Sequence, residues 1–306
     1  MPLKTRPISL LKNSGFIFTV AMAAGLAFGG GASYTEHVLV PVLAVIMTAS
    51  ILDISTGIFL DFKKVASPIL IALTLNFIVL SGTYIGLSYL LIDDVDLHAG
   101  FVLIGAVPPA VAVIPLTFLL GGNTKLSMIG NVAAYVAALA ITPLICIIFL
   151  GSNVIEPSRL LIVLGELIVA PVVLSRFLRR TPYISSVDRW RGPVVNWGFF
   201  LVIYTIVGLN RDTFLQEPDI VLPLVIITFI ATFVLAEVVN RIARFLGADK
   251  ADRISLMYMA TRKNGGMAGA VALIFFDPRA AMPVAVMTSL NVLHFIWLTW
   301  WVRRMR

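Results

Sequence analysis

Stretches of about twenty apolar residues follow one another along almost the whole chain, and the short connectors between them carry most of the charge. A span of that length as a helix matches the roughly 30 Å hydrocarbon core of a bilayer. Of 306 residues, 59% are hydrophobic and 13% charged, against about 25% charged in an ordinary soluble domain. A soluble core could not cover so much apolar surface. The expected fold is an all-α polytopic membrane protein with ten transmembrane helices. They run near residues 14–32, 37–60, 67–92, 99–121, 125–150, 158–177, 193–210, 220–246, 254–276 and 280–302.

The lysines and arginines orient these spans, because short cytoplasmic connectors collect them. With the N-terminus in the cytoplasm, 18 of the 23 fall on the inner side, 3 (Arg159, Arg211 and Arg279) on the outer side, and Arg262 and Lys263 inside a span. The acidic loop Asp93, Asp94, Asp96 falls outside. Both termini are therefore expected in the cytoplasm and the protein in the cell (inner) membrane. The net charge of +7 does not point to nucleic acid, since no basic face or aromatic-basic alternation is present. No cleavable signal peptide is expected, because the first apolar stretch lacks a clear small-residue cleavage site and more spans follow. The single cysteine, Cys146, excludes a disulfide framework and reads as a small core hydrophobe.

Ten spans divide into two sets of five, and an odd set makes the second run upside down relative to the first, a design common among transporters. Spans four (IGAVPPAVAVIPLTFLLGG) and nine (MYMATRKNGGMAGAVALIFFD) should then be equivalent. An offset of 156 residues places Pro108-Pro109 on Asn264-Gly265. Proline removes a donor and clashes with the preceding turn, and Asn-Gly-Gly favours a turn over a helix. Broken backbone at membrane depth survives only inside protein or beside a polar cavity. The expectation is two inverted five-helix repeats with broken helices crossing in spans four and nine, and a substrate site at the crossing.

Arg262 and Lys263 lie about nine residues into span nine, or roughly 13 Å deep at 1.5 Å per residue. A cation at that depth should face the protein interior and have a partner. The acidic candidates are Asp53 in span two, Glu166 in span six and Glu237 in span eight. Asp53 and Glu166, the deeper pair, would suit proton coupling if desolvated. Glu237 stands four residues before Arg241 and reads as a helix-surface pair. His294 has no evident partner and reads as packing. Asn76, Ser127 and Asn131 add neutral polar groups that could join helices or hold a ligand.

The ten-span plan with breaks in spans four and nine resembles the bile acid/sodium symporter family, within the wider bile, arsenite and riboflavin transporter superfamily. The resemblance rests on Gly105-Ala-Val-Pro-Pro-Ala, on 119–143 (LLGGNTKLSMIGNVAAYVAALAITP) and on Arg262-Lys-Asn-Gly-Gly-Met-Ala. It implies a panel domain, residues 1–62 and 152–215, and a core domain, residues 63–151 and 216–306, that move against each other in alternating access. The sodium ligands implied by the family are largely replaced. Val113-Ile114 stands where a Ser-Asn pair is expected, Met259 replaces a glutamate, Lys263 a glutamine and Asn131 a threonine, while Ser127, Asn264 and Asn76, which matches a glutamine, are retained or nearly so.

The expected function is secondary transport of a small organic anion or amphipathic carboxylate. It would be independent of sodium because Lys263 supplies a fixed ammonium, and proton-coupled, exchanging or facilitated. The alternatives are a sodium-coupled symporter with an altered ion site, and a non-transporting sensor or channel. No His-Glu-x-x-His pattern, metal cluster or phosphate loop is present. An enzyme, a metal site and a cofactor are therefore not expected.

Overall fold

The structure, a computed structural model, describes residues 14–52, 62–151 and 156–304. Every regular element among them is helical. In chain order these are α1 (Ser14–Ala27), α2 (Ala32–Glu36), α3 (Leu39–Ile51), α4 (Phe62–Leu73), α5 (Ser81–Leu91), α6 (Val95–Ala106), α7 (Val113–Leu119) and α8 (Thr124–Leu150). There follow α9 (Pro157–Leu164), α10 (Ala170–Arg179), α11 (Ile184–Leu209), α12 (Arg211–Gln216), α13 (Pro218–Phe229), α14 (Leu235–Phe245), α15 (Lys250–Met259), α16 (Gly265–Phe275) and α17 (Met282–Arg304). Turns of π-helix join α4 to α5, α9 to α10 and α13 to α14 without ending the rod.

Six rods are long and apolar enough to cross a membrane: Val65–Leu91, Thr124–Leu150, Ser158–Arg179, Ile184–Leu209, Pro218–Phe245 and Pro278–Val302. They match expected spans three, five, six, seven, eight and ten, and mark an integral membrane protein. The other expected spans are shorter or bent. The first is not one straight helix. Phe16–Ala27 meets Gly29–Glu36 at 92°, because Gly29-Gly30-Gly31 offers no side chain to hold a helix. Carbonyls freed at this bend are satisfied from the same unit. Tyr204 Oη donates to Phe28 O at 2.9 Å, and Arg211 Nε donates to Leu26 O at 2.6 Å. The second half of expected span two, Asp53 included, lies outside the described residues.

The chain divides into two compact units, Met1–Leu52 with Gly165–Val221 and Asp53–Leu164 with Leu222–Arg306. In the first, α1 packs on α11 through small residues. A methyl group at Gly25 would meet Val207 Cβ at 2.9 Å, and one at Gly29 would meet Gly208 O at 2.9 Å. Close approach of this kind replaces the hydrophobic drive that lipid removes. An apolar cavity of about 530 Å³ opens between α3, α10 and α11, beside Thr48, Leu174 and Trp190.

Along the chain, elements recur at one spacing. Phe62 opens α4 and Pro218 opens α13; Thr74 opens the π-turn after α4 and Ile230 the π-turn after α13. Each pair is 156 residues apart. Both halves then carry a helix pair interrupted by extended residues, α6 and α7 in one and α15 and α16 in the other. An apolar cluster that includes Ala72, Val113, Met257, Met259 and Leu298 fills the space beside these breaks. Cys146 is buried as a free thiol.

Candidate functional site

The two interruptions meet in the second unit. The first leaves helical form after Ala106, at Val107-Pro108-Pro109, and the second after Met259, around Arg262-Lys263-Asn264. Asn264 N donates to Pro108 O at 2.9 Å, which joins two residues that the offset of 156 makes equivalent. Helix α6 stops at Ala106, so the Pro108 carbonyl is outside its ladder and serves the other break. Asn264 also caps α16, with Oδ1 accepting from Met267 N at 3.1 Å, while its Nδ2 donates to Tyr135 Oη at 2.8 Å. The first bond is the device that a helix start needs once the ladder stops; the second ties the cap to α8.

Lys263 fills the centre of the crossing and is only 1% exposed. Its Nζ donates to Asn76 Oδ1 at 2.9 Å, Ser81 Oγ at 3.0 Å, Gly105 O at 2.7 Å and Val107 O at 2.9 Å. The Phe77 ring centroid lies 4.7 Å away. An ammonium has three protons, so four acceptors leave none of them unused. The π-turn builds half of this cage. Five residues make about 1.4 α-helical turns, which would send Asn76 and Ser81 to different faces. In the π-turn Ser81 N reaches back to Asn76 O instead, and the two side chains converge. Such insertions recur at functional sites. Ser81 Oγ also lies 2.6 Å from Gly105 O, to which it donates.

Arg262 reaches α17 instead and is 4% exposed. Its Nη1 donates to Asn291 Oδ1, and its Nη2 to His294 Nδ1 at 3.0 Å. Asn291 and His294 are three residues apart and share one face of α17. A guanidinium only donates, so His294 accepts at Nδ1 and carries its proton on Nε2. The guanidinium carbon lies 5.2 Å from the Tyr258 ring centroid. Within the described residues, no carboxylate pairs with Arg262 or Lys263. The acidic partner expected from the sequence is replaced by neutral oxygens, a histidine nitrogen and aromatic faces. Glu166 is exposed on the π-turn before α10, and Asp53 is outside the described residues. His294, expected only to pack, holds Arg262. Glu237 pairs with Arg241 at 2.7 Å as expected.

A family model for SBF-like CPA transporters matches residues 31–299. The chain belongs to the SBF-like CPA transporter family. This is a family of transporters, not enzymes, with small-molecule substrates. The chain is 22% identical to "Uncharacterized sodium-dependent transporter YocS" of Bacillus subtilis (strain 168), over 98% of this chain and 95% of that one. It is 27% identical to "Sodium/bile acid cotransporter 7" of Xenopus tropicalis, over 51% of this chain and 48% of that one.

In this SBF-like transporter the remaining polar candidates are spread around the crossing. Ser127 Oγ meets Thr117 Oγ1 at 3.0 Å, and Asn131 Nδ2 donates to Ala110 O at 3.2 Å. Met259 and Val113 lie in the apolar cluster, and Met259 Cε reaches the surface of Gly130. Pro108 and Pro109 are buried, whereas Ile114 and Gly265 are half-buried at the starts of α7 and α16. Ser81, Tyr135, Asn291 and Thr117 were not foreseen. Ser81 alone left a trace, five residues after Asn76 in the same apolar rod. The others are tied to the crossing by contacts between distant segments.

Proposed function

We propose that this protein is a sodium-independent secondary transporter of a small organic anion, in which Lys263 stands where related symporters hold sodium. One observation carries the reading. The Lys263 ammonium sits among four neutral oxygens from two helix rods, the kind of oxygen shell a hard cation takes. A tethered ammonium holds the broken helices together at all times, so closing the crossing needs no ion from solution. The names of the relatives favour sodium dependence. Against that stands a shell already occupied by this chain's own cation, with Met259 at the position where the family carboxylate is implied.

Two buried cations without a carboxylate partner among the described residues leave the crossing positive, and the N-terminal dipole of α16 adds to this. Both cations are covered; the Lys263 ammonium has acceptors for all its protons, and Arg262 uses Nη1 and Nη2 while its Nε has no acceptor among the described residues. They act on an anion through the field, while Gly265 and Ile114 offer the half-buried surface. An amphipathic carboxylate fits such a site with apolar surroundings. The matching starts at a spacing of 156 residues support two inverted five-helix repeats within ten spans, and the two units support a panel and a core that move in alternating access. Proton coupling would run through Asp53 or Glu166. The protein would sit in the cell membrane with both termini in the cytoplasm.

Uptake into proteoliposomes tests the reading. With candidate carboxylates such as bile salts or keto acids inside and out, counterflow is expected to proceed equally in sodium and potassium. Clear acceleration by an inward sodium gradient would overturn sodium independence. Loss of pH-driven uptake in Asp53→Asn or Glu166→Gln would assign the coupling residue.

A further inference from the structure

A second charged site lies in the same unit, away from the crossing. A cavity of about 550 Å³ is lined by Glu237, Asn240, Arg241, Arg244, Arg253, Trp301 and Arg304. Four arginines face one carboxylate there. Glu237 uses Oε1 on Arg241, and no ion pair holds Arg244, Arg253 or Arg304 among the described residues. Arg253 is 6% exposed, yet its Nε is buried without an acceptor. A buried guanidinium donor with no partner is uncommon in a folded protein. Glu237 Oε2 and Asn240 Oδ1 in the same lining are unpartnered acceptors among the described residues, but four arginines against one carboxylate leave the cavity strongly positive.

The surroundings say what would fill it. Arg244 is in the last turn of α14, Arg253 in the first turns of α15 and Arg304 at the end of α17, so the cavity lies where three helices end. Trp300 is 51% exposed and stacks against the Arg304 guanidinium at 3.6 Å, as tryptophans do at headgroup level. Phe245 and Leu246, directly after Arg244, are 90% and 74% exposed. Glu237 and Arg241 are shared with an apolar groove that includes Phe229, Phe233, Val238 and Trp297, so a basic cavity for phosphate oxygens adjoins apolar surface for acyl chains. A soluble anion would use only the first of these.

We infer that this cavity binds the phosphate headgroup of an anionic phospholipid. Arginine suits phosphate because its planar fork donates two parallel hydrogen bonds. Basic pockets between helices at the membrane surface take such headgroups. The inference depends on membrane insertion and is independent of the coupling ion proposed above.

The test uses purified full-length protein in nanodiscs of phosphatidylcholine with or without phosphatidylglycerol, with retained lipids counted by native mass spectrometry. The wild type is expected to retain phosphatidylglycerol over phosphatidylcholine and to melt at a higher temperature with it. Arg304→Gln, at an exposed position that tolerates change, and Arg244→Gln should each weaken retention on the order of fivefold. Equal retention of the two lipids by the wild type would overturn the proposal. So would unchanged phosphatidylglycerol retention in the folded double variant. Inorganic phosphate that raises the melting temperature as much as phosphatidylglycerol, in phosphatidylcholine discs, would show a soluble-anion site and overturn the lipid assignment.

Discussion

Lys263 is only 1% exposed, and the second unit is arranged to accept a buried ammonium. Asn76 Oδ1, Ser81 Oγ and the carbonyls of Gly105 and Val107 all point at Nζ. Two of these are main-chain groups set free because α6 stops at Ala106. Removing the ammonium would orphan buried acceptors, at about 1–3 kcal/mol each. Lys263→Met is therefore expected to lower stability by roughly 2–5 kcal/mol, measured by denaturant unfolding in detergent micelles. Lys263→Arg is not expected to restore it, since a planar fork cannot meet four acceptors arranged around a point charge. A Lys263→Met protein as stable as the wild type would show that the cage does not hold the crossing. That Lys263 and Arg262 face the protein interior was legible from their place in an apolar stretch. Their partners were not, because Asn76, Ser81 and His294 lie 30 to 190 residues away in sequence, and local periodicity carries no record of them.

The same division holds for elements. Pro108-Pro109 and Asn264-Gly265-Gly266 announce broken helices, and both breaks are present, α6 to α7 and α15 to α16. The π-turns Thr74–Leu80 and Ile230–Val234 left no readable sign, since a single wide turn barely alters an apolar run scanned at 3.6 residues per turn. The bend after Ala27 could have been read from three successive glycines, yet hydropathy alone drew a straight span through them. The packing of α6 gives a prediction at this scale. A methyl at Gly100 would overlap the Ala280 carbonyl oxygen and lie 2.9 Å from Pro283 Cγ. Backbone and proline cannot yield as a flexible side chain would. Gly100→Ala is expected to cost about 3 kcal/mol, near the upper end for overpacked sites, and to lower the melting temperature. Gly86→Ala, with open space around it, is the control and should leave stability within about 0.5 kcal/mol. Equal effects of the two would refute tight packing of α6 on Pro278–Ala281.

For the whole molecule, hydropathy identified an integral membrane protein of helices, and the family match made it a transporter. Orientation rests on the lysine and arginine bias, which labelling can check. Cys146 is the one cysteine and is buried, so a reporter cysteine should stand out. In intact cells a membrane-impermeant maleimide is expected to label Asp93→Cys, and to reach Arg189→Cys only after permeabilisation. The reverse pattern would invert the topology. Substrate choice was not legible, because the proposed site would offer a field and an apolar surface rather than a directional set of donors. The central claim, that a lysine has taken the place of a sodium ion, is tested most directly by melting temperature in sodium chloride against potassium chloride at equal ionic strength. The wild type is predicted to melt at the same temperature in both. A wild-type protein selectively stabilised by sodium would contradict the claim.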